Sequence, residues 1–200
     1  MANDTFGVLR PSIPGPQKTV IVLGAPRGGT SMVAATLRKL GVMMGEELGH
    51  QHEDRNFRRD VPIEKMIETI SARNAAHDLW GWKMPNSVYY VESLLPHLRN
   101  PHFVAIFRNP FSISRSSAER DSRDFNLRLL QVAANHTKRV VDLLERLEAP
   151  AALASFEAAT RSPETFVGNL AEFIGVEVGE ATASEVSRSA IQPGKGYLEF

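Results

Sequence analysis

The sequence predicts a three-layer α/β domain, an open parallel sheet with helices on both faces. Three observations carry this. Thr19-Val-Ile-Val-Leu23 and His102-Phe-Val-Ala-Ile-Phe107 lack the polar alternation of a half-exposed strand and read as strands buried on both faces. Stretches with helical spacing separate the strand-like runs, and that alternation implies parallel strands joined by crossover helices. A glycine-rich turn sits directly between the first apolar run and the first helical stretch.

Taken in order, residues 1–18 carry Pro11, Pro14, Gly15 and Pro16 and read as an irregular lead-in. Residues 19–200 read as one domain. After the strand at 19–23 come the turn Ala25-Pro-Arg-Gly-Gly29 and a helix from Thr30 to Leu40, stopped by Gly41. Met44 to Asp60 is polar and reads as a loop entering a helix over 62–76, where Ile63, Met66, Ile67 and Ile70 share a face. Trp80-Gly-Trp-Lys83 is a short strand closed by Pro85, and Ser87 to Leu98 has helical spacing. The strand at 102–107 leads through Asn109-Pro110 into a helix over 112–120. Arg120, Asp121, Arg123, Asp124 and Arg128 read as a solvated helix start. A long amphipathic helix follows over 126–148, a strand over 151–156, and a helix opened by Ser162-Pro163 and stopped by Gly175. The pattern weakens after Val178.

Composition narrows the function. Two hundred residues with 42% hydrophobic and 23% charged content suit one globular domain. Lys plus Arg number 23 and Asp plus Glu number 23, so no net charge draws the chain to nucleic acid or an anionic membrane. With no Cys, disulfides, cysteine nucleophiles and cysteine-based zinc sites are excluded. Met1 to Lys18 has no apolar run of signal-peptide or membrane-span length, and a cytoplasmic location is the expectation.

The segment Gly24-Ala-Pro-Arg-Gly-Gly-Thr-Ser31, between strand and helix, has the makings of an anion cradle. Backbone N–H groups at a helix N-terminus point outward, and the helix dipole favours negative charge there. Gly28 and Gly29 admit a ligand close to the backbone, and Thr30 and Ser31 add hydroxyls. Gly24 and Gly29 have the spacing of the nucleoside-triphosphate loop GxxxxGK[ST], yet Thr30 stands where that loop has lysine and the cation comes earlier, at Arg27. Such a loop suits a phosphate or sulfate better than a magnesium triphosphate.

Pro26-Arg-Gly-Gly-Thr-Ser31 resembles the 5′-phosphosulfate loop of the sulfotransferases that use 3′-phosphoadenosine 5′-phosphosulfate (PAPS), with Arg27 at the cationic position. That family holds the donor's 3′-phosphate with an Arg at a strand end and a Ser eight residues later. Phe103-Val-Ala-Ile-Phe-Arg108 followed by Ser116 is similar to this, and Ser155-Phe156-Glu157 looks like a strand-end segment found before the last helices of many members. Arg115, beside Ser116, is a further candidate contact. Gly194-Lys195-Gly196 is a loose match to a basic loop that closes over the 3′-phosphate. The resemblance implies the phosphate-loop fold, PAPS as co-substrate, no metal, and an acceptor hydroxyl or amine on a small molecule or carbohydrate.

Sulfuryl transfer needs a cation for the departing nucleotide and a base for the acceptor proton. Arg27 and Lys83 are the candidate cations; Gly-Trp-Lys-Met-Pro is similar to a Gly-Trp-Lys-Asp-Pro segment of bacterial members, with Met84 departing from it. Glu53 is the expected base, in competition with His50 and His52, while Asp54 reads as a helix cap. A phosphate-loop kinase or nucleotide hydrolase, and a non-catalytic nucleotide-binding relative, are the alternatives. With little room for acceptor-binding insertions, the acceptor site is expected to be open or completed by a second subunit, as in a homodimer.

Overall fold

The computed structural model describes residues 5–46, 48 and 51–191. Five strands form one sheet: β1 (Phe6–Arg10), β2 (Lys18–Leu23), β3 (Leu79–Lys83), β4 (Pro101–Phe107) and β5 (Ala151–Ser155), in the spatial order β1-β5-β4-β2-β3. β2 through β5 run parallel, with Val20 opposite both Gly81 and His102.

Eight α-helices accompany them in the described residues: α1 (Thr30–Lys39), α2 (Ile63–Ala76), α3 (Val91–Leu94), α4 (Pro110–Arg120), α5 (Leu127–Arg146), α6 (Phe156–Arg161), α7 (Pro163–Ile174) and α8 (Glu180–Ala190). The period-2 alternation of β2 sorts them into layers. Val20 and Val22 face one side, with Val104, Ile106 and Ala154, and pack on α1, α7 and α8. Ile21 and Leu23 face the other, with Phe103 and Ala105, and pack on α2, α3 and α5. The predicted three-layer α/β arrangement is what the chain adopts. β2 is the first parallel strand, and the chain visits β3 on one side of it before β4 on the other. The crevice of an open sheet lies at such a divergence, beyond the carboxyl ends of the strands.

Three local expectations need correction. Residues 1–18 are not wholly irregular, because Phe6–Arg10 pairs antiparallel with β5 and closes that edge of the sheet. Gly7, Val8 and Leu9 are exposed, so no burial alternation marks the strand; Arg10 anchors it through the Ala149 and Leu144 carbonyls, at 2.8 and 2.9 Å. The helix expected over 87–98 is broken into a 3-10 turn at Pro85–Tyr89, the single turn α3 and a 3-10 turn at Leu95–His97. Pro96 has no N–H to continue a helix. The charged run at 120–128 is a helix start only at Arg128, in the first turn of α5; Arg120 ends α4, Asp121 is its C-cap, and Arg123 and Asp124 lie in the connecting loop.

Candidate functional site

Four strand ends converge on one crevice: Leu23 of β2, Lys83 of β3, Phe107 of β4 and Ser155 of β5. The β2–α1 turn lies at its centre. Gly29 caps α1 in the left-handed region at φ 99°, and no side chain caps the helix, so its first N–H groups face the crevice without a side-chain acceptor. A Cβ at Gly29 would run into the Phe156 ring, and one at Gly28 would lie 2.7 Å from the Ala25 carbonyl. Both positions therefore need glycine. Arg27 also has a left-handed backbone, at φ 67°.

The side chains expected to bind nucleotide meet beside this turn. Arg108, one residue past β4, donates from Nη1 to the Arg27 carbonyl at 3.0 Å and lies 4.4 Å over the Phe156 ring. Arg27 Nε donates to Ser116 Oγ at 3.0 Å. Thus Arg27, Arg108 and Ser116, from two separate strand–helix junctions, form one connected group. Asn109 caps α4 by accepting from the N–H of Phe111 at 2.9 Å, while its own N–H donates to Glu157 at 2.9 Å. The sequence motif Ser155-Phe156-Glu157 carries no role by itself, and the fold supplies two. Phe156 supports the Arg108 plane, and Glu157 fixes the start of α4. Arg115 points to Glu119 instead, at 3.6 Å on the exposed side of α4. Lys195 and its neighbouring glycines, and His50, lie outside the described residues.

A second group sits on the other side of the turn. Lys83 is 2% exposed, so it does not snorkel to solvent from its edge strand. Its Nζ donates to the Gln51 carbonyl at 2.8 Å and to Glu53 Oε1 at 3.0 Å. Ser31 Oγ donates to the same Gln51 carbonyl at 2.8 Å, which ties this pair to the first turn of α1. Burial pulls the Lys83 ammonium down to about 8; the Glu53 carboxylate opposes that shift and the nearby Arg27 charge adds to it.

The neighbours of Glu53 face elsewhere. His52, at φ 53° and buried, lies 3.4 Å from Arg38 Nη1 on the α1 side. Asp54 accepts from the Asn56 N–H as the cap of the 3-10 turn Arg55–Phe57, and forms a buried ion pair with Arg73 of α2. Glu53 is thus the residue of this trio beside Lys83, and His52 is not placed to share its proton. Among the described residues no group of three or more His, Asp or Glu is arranged to hold a metal.

Beyond Glu53 the crevice opens into a cleft of about 800 Å³, bounded among others by Arg55, Arg58, Arg59, Asp60 and Met84. Its floor is firm. Phe57 is fully buried and stacks on Trp82 with ring centroids 4.2 Å apart, and Arg73 lies 5.5 Å over both Phe57 and Trp80. Tyr90 donates to the Phe57 carbonyl. The Trp80 and Trp82 indoles find Asn74 and Ser87, each accounting for its one donor.

A glycine-rich strand–helix turn at the centre of a parallel sheet, with two arginines beside it, defines an α/β protein of the phosphate-loop type. No protein-family model matches the sequence, and no curated protein does. Solved structures do match, with low sequence identity. The sulfotransferase domain of the Synechococcus PCC 7002 olefin synthase superposes with a TM-score of 0.63 at 16% identity, covering 93% of this chain and 81% of that one. Mouse sulfotransferase SULT7A1, complexed with PAP, gives 0.61 at 12%, over 94% and 75%. Sulfotransferase STF9 from Mycobacterium avium gives 0.57 at 13%, over 88% and 68%. The chain has the sulfotransferase fold.

Proposed function

We propose that this chain transfers a sulfuryl group from PAPS to an acceptor hydroxyl. The observation that carries the reading is the single connected group of Arg27, Arg108 and Ser116 beside the uncapped start of α1. Two anion sites at neighbouring strand ends match a nucleotide charged at both its 5′ and 3′ positions. Arg108 supplies a planar fork for the 3′-phosphate, and Ser116 a hydroxyl. The α1 N–H groups and Arg27 would hold the phosphosulfate, with Ser31 joining them if its proton leaves the Gln51 carbonyl. The mouse neighbour's complex with PAP agrees with that donor. Thr30 in place of the loop lysine disfavours the kinase reading.

In the transfer, the acceptor O–H gives its proton to the Glu53 carboxylate as the acceptor oxygen bonds to sulfur. The bond from sulfur to the 5′-phosphate oxygen breaks, and its electron pair leaves on the bisphosphate. Lys83 and Arg27 offset the charge growing on that oxygen. Arg27 and Lys83 each act as a cation, and Glu53 as the base.

Thermal melting separates the readings. Adenosine 3′,5′-bisphosphate and PAPS are expected to raise the melting temperature without metal. A larger shift with magnesium ATP, and none with the bisphosphate, would replace this reading with the kinase. Bisphosphate binding without labelled-sulfate transfer to any acceptor in a broad screen would leave a non-catalytic relative.

A further inference from the structure

We propose that the open cleft takes an anionic, polyhydroxylated acceptor, a saccharide bearing a carboxylate or a sulfate, with Arg55 and Arg59 holding the anion. The inference rests on the sulfotransferase reading, since it places the reacting hydroxyl at Glu53. The cleft is sized for a small ligand at about 800 Å³. Among the described residues that line it, charged side chains outnumber the rest and Met84 is the one apolar side chain, which favours a charged, hydroxyl-rich ligand.

The charges do not cancel within the cleft. Glu53 is matched by Lys83 at 3.0 Å. Asp60 is matched by Arg58 in a two-bond fork, at 3.1 and 3.0 Å. Two guanidinium groups are left without a carboxylate among the described residues. Arg59 lies 4.9 Å over the exposed Tyr89 ring, and Arg55 has no side-chain partner there. The whole chain is neutral, so this excess is a property of the cleft and not of the bulk.

The excess is also held in place. Arg55 opens the 3-10 turn capped by Asp54, and Arg58 follows the buried Phe57, so the segment bearing all three arginines is pinned to the Trp82 layer. A guanidinium fork recognises carboxylate or sulfate in the plane. Arg55 lies two residues from Glu53, which sets the anion and the reacting hydroxyl on one small molecule.

Equilibrium titration of the full chain, at low salt and without nucleotide, tests this with three sugars: 4-nitrophenyl β-glucoside, its 6-sulfate, and 4-nitrophenyl β-glucuronide. At least one anionic sugar is expected to bind about tenfold more tightly than the neutral glucoside, and the tighter of the two names the anion. The double variant Arg55→Gln, Arg59→Gln should bind all three alike, while Arg55→Lys keeps part of the preference. Bisphosphate affinity and melting temperature check that the variants are folded. Equal binding of the three sugars, or a preference that survives the double variant, overturns the proposal. Labelled-sulfate transfer is read separately. Preference for an anionic sugar in a chain that neither binds bisphosphate nor transfers sulfate keeps the anion cleft and removes the sulfotransferase reading. Transfer to the glucoside with no preference among the sugars does the reverse.

Discussion

At the phosphate-loop end of the crevice, each arginine is already held by the protein: Arg27 by Ser116, and Arg108 by the Arg27 carbonyl and the Phe156 ring. At the cleft end, Arg55 projects freely from a turn whose rigidity lies underneath it, in Asp54, Phe57 and Arg73. One end is organised at the level of the contacting groups and the other only at the level of the scaffold. Preorganised donors lose little entropy when a ligand arrives, which suits a donor of fixed chemistry. At the cleft end Arg58 is tied to Asp60 and Arg59 rests on Tyr89, so Arg55 is the arginine left to adapt to the acceptor that the proposed reading places there.

The contrast fails most visibly if the base of the cleft is not firm. Arg73→Leu leaves the Asp54 carboxylate buried without its partner, and stability in urea is expected to fall by about 3–5 kcal/mol. A variant as stable as the parent would mean that the ion pair does not anchor the cleft. Next in size, Arg108→Ala should weaken bisphosphate binding by about 1.5–3 kcal/mol, measured by calorimetry, while Arg55→Gln leaves it unchanged. Equal losses at both positions would erase the distinction between the two ends.

The junction between the ends is read by pH. Lys83 is charged below about 8 and neutral above it. Transfer is therefore expected to fall as pH rises through about 8, approaching tenfold per pH unit on the alkaline limb. Lys83→Arg should move that limb to higher pH. Folding stability has the opposite sign. The native ammonium is penalised by burial, so stability rises with pH between about 8 and the ordinary 10.5. An alkaline limb unchanged in Lys83→Arg would assign it to another group.

The smallest effect lies far from the crevice. His102 Nδ1 is 2.8 Å from the Asn100 carbonyl, which leaves Nε2 to accept from Ser12 Oγ at 2.9 Å and so tie the segment after β1 to β4. Burial holds its pKa below the ordinary 6.5. The neutral ring's contribution is fully present above 6.5 and is lost as pH falls below it towards the depressed native value. Faster proteolysis of the first residues in mild acid is expected, and His102→Gln should reduce that pH dependence.

The strands buried on both faces were legible in the sequence, because continuous apolar runs have few other readings. So were the two strand–helix junctions, since Arg27, Arg108 and Ser116 lie in motifs contiguous enough to recognise, and Lys83 stood at a strand end. β1 was hidden because three of its five residues face solvent and its partner strand lies some 140 residues on in the chain. Arg73 was hidden for a related reason: a single arginine on an amphipathic helix looks like surface until Asp54 is brought against it. Phe156 was visible as a strand-end residue, but its contact with Gly29 and Arg108 exists only once β5 lies beside β4.

The oxygen that Ser31 and Lys83 share belongs to the peptide of Gln51, not to its side chain. Exchanging residue 51 for almost any other amino acid would leave that acceptor standing, so alanine scanning would pass over it as silent. Adding or deleting one residue in the connection between α1 and Glu53 would slide a different carbonyl into its place. The coupling between helix and lysine is thus written in the length of a loop, and length changes are the mutations that reach it.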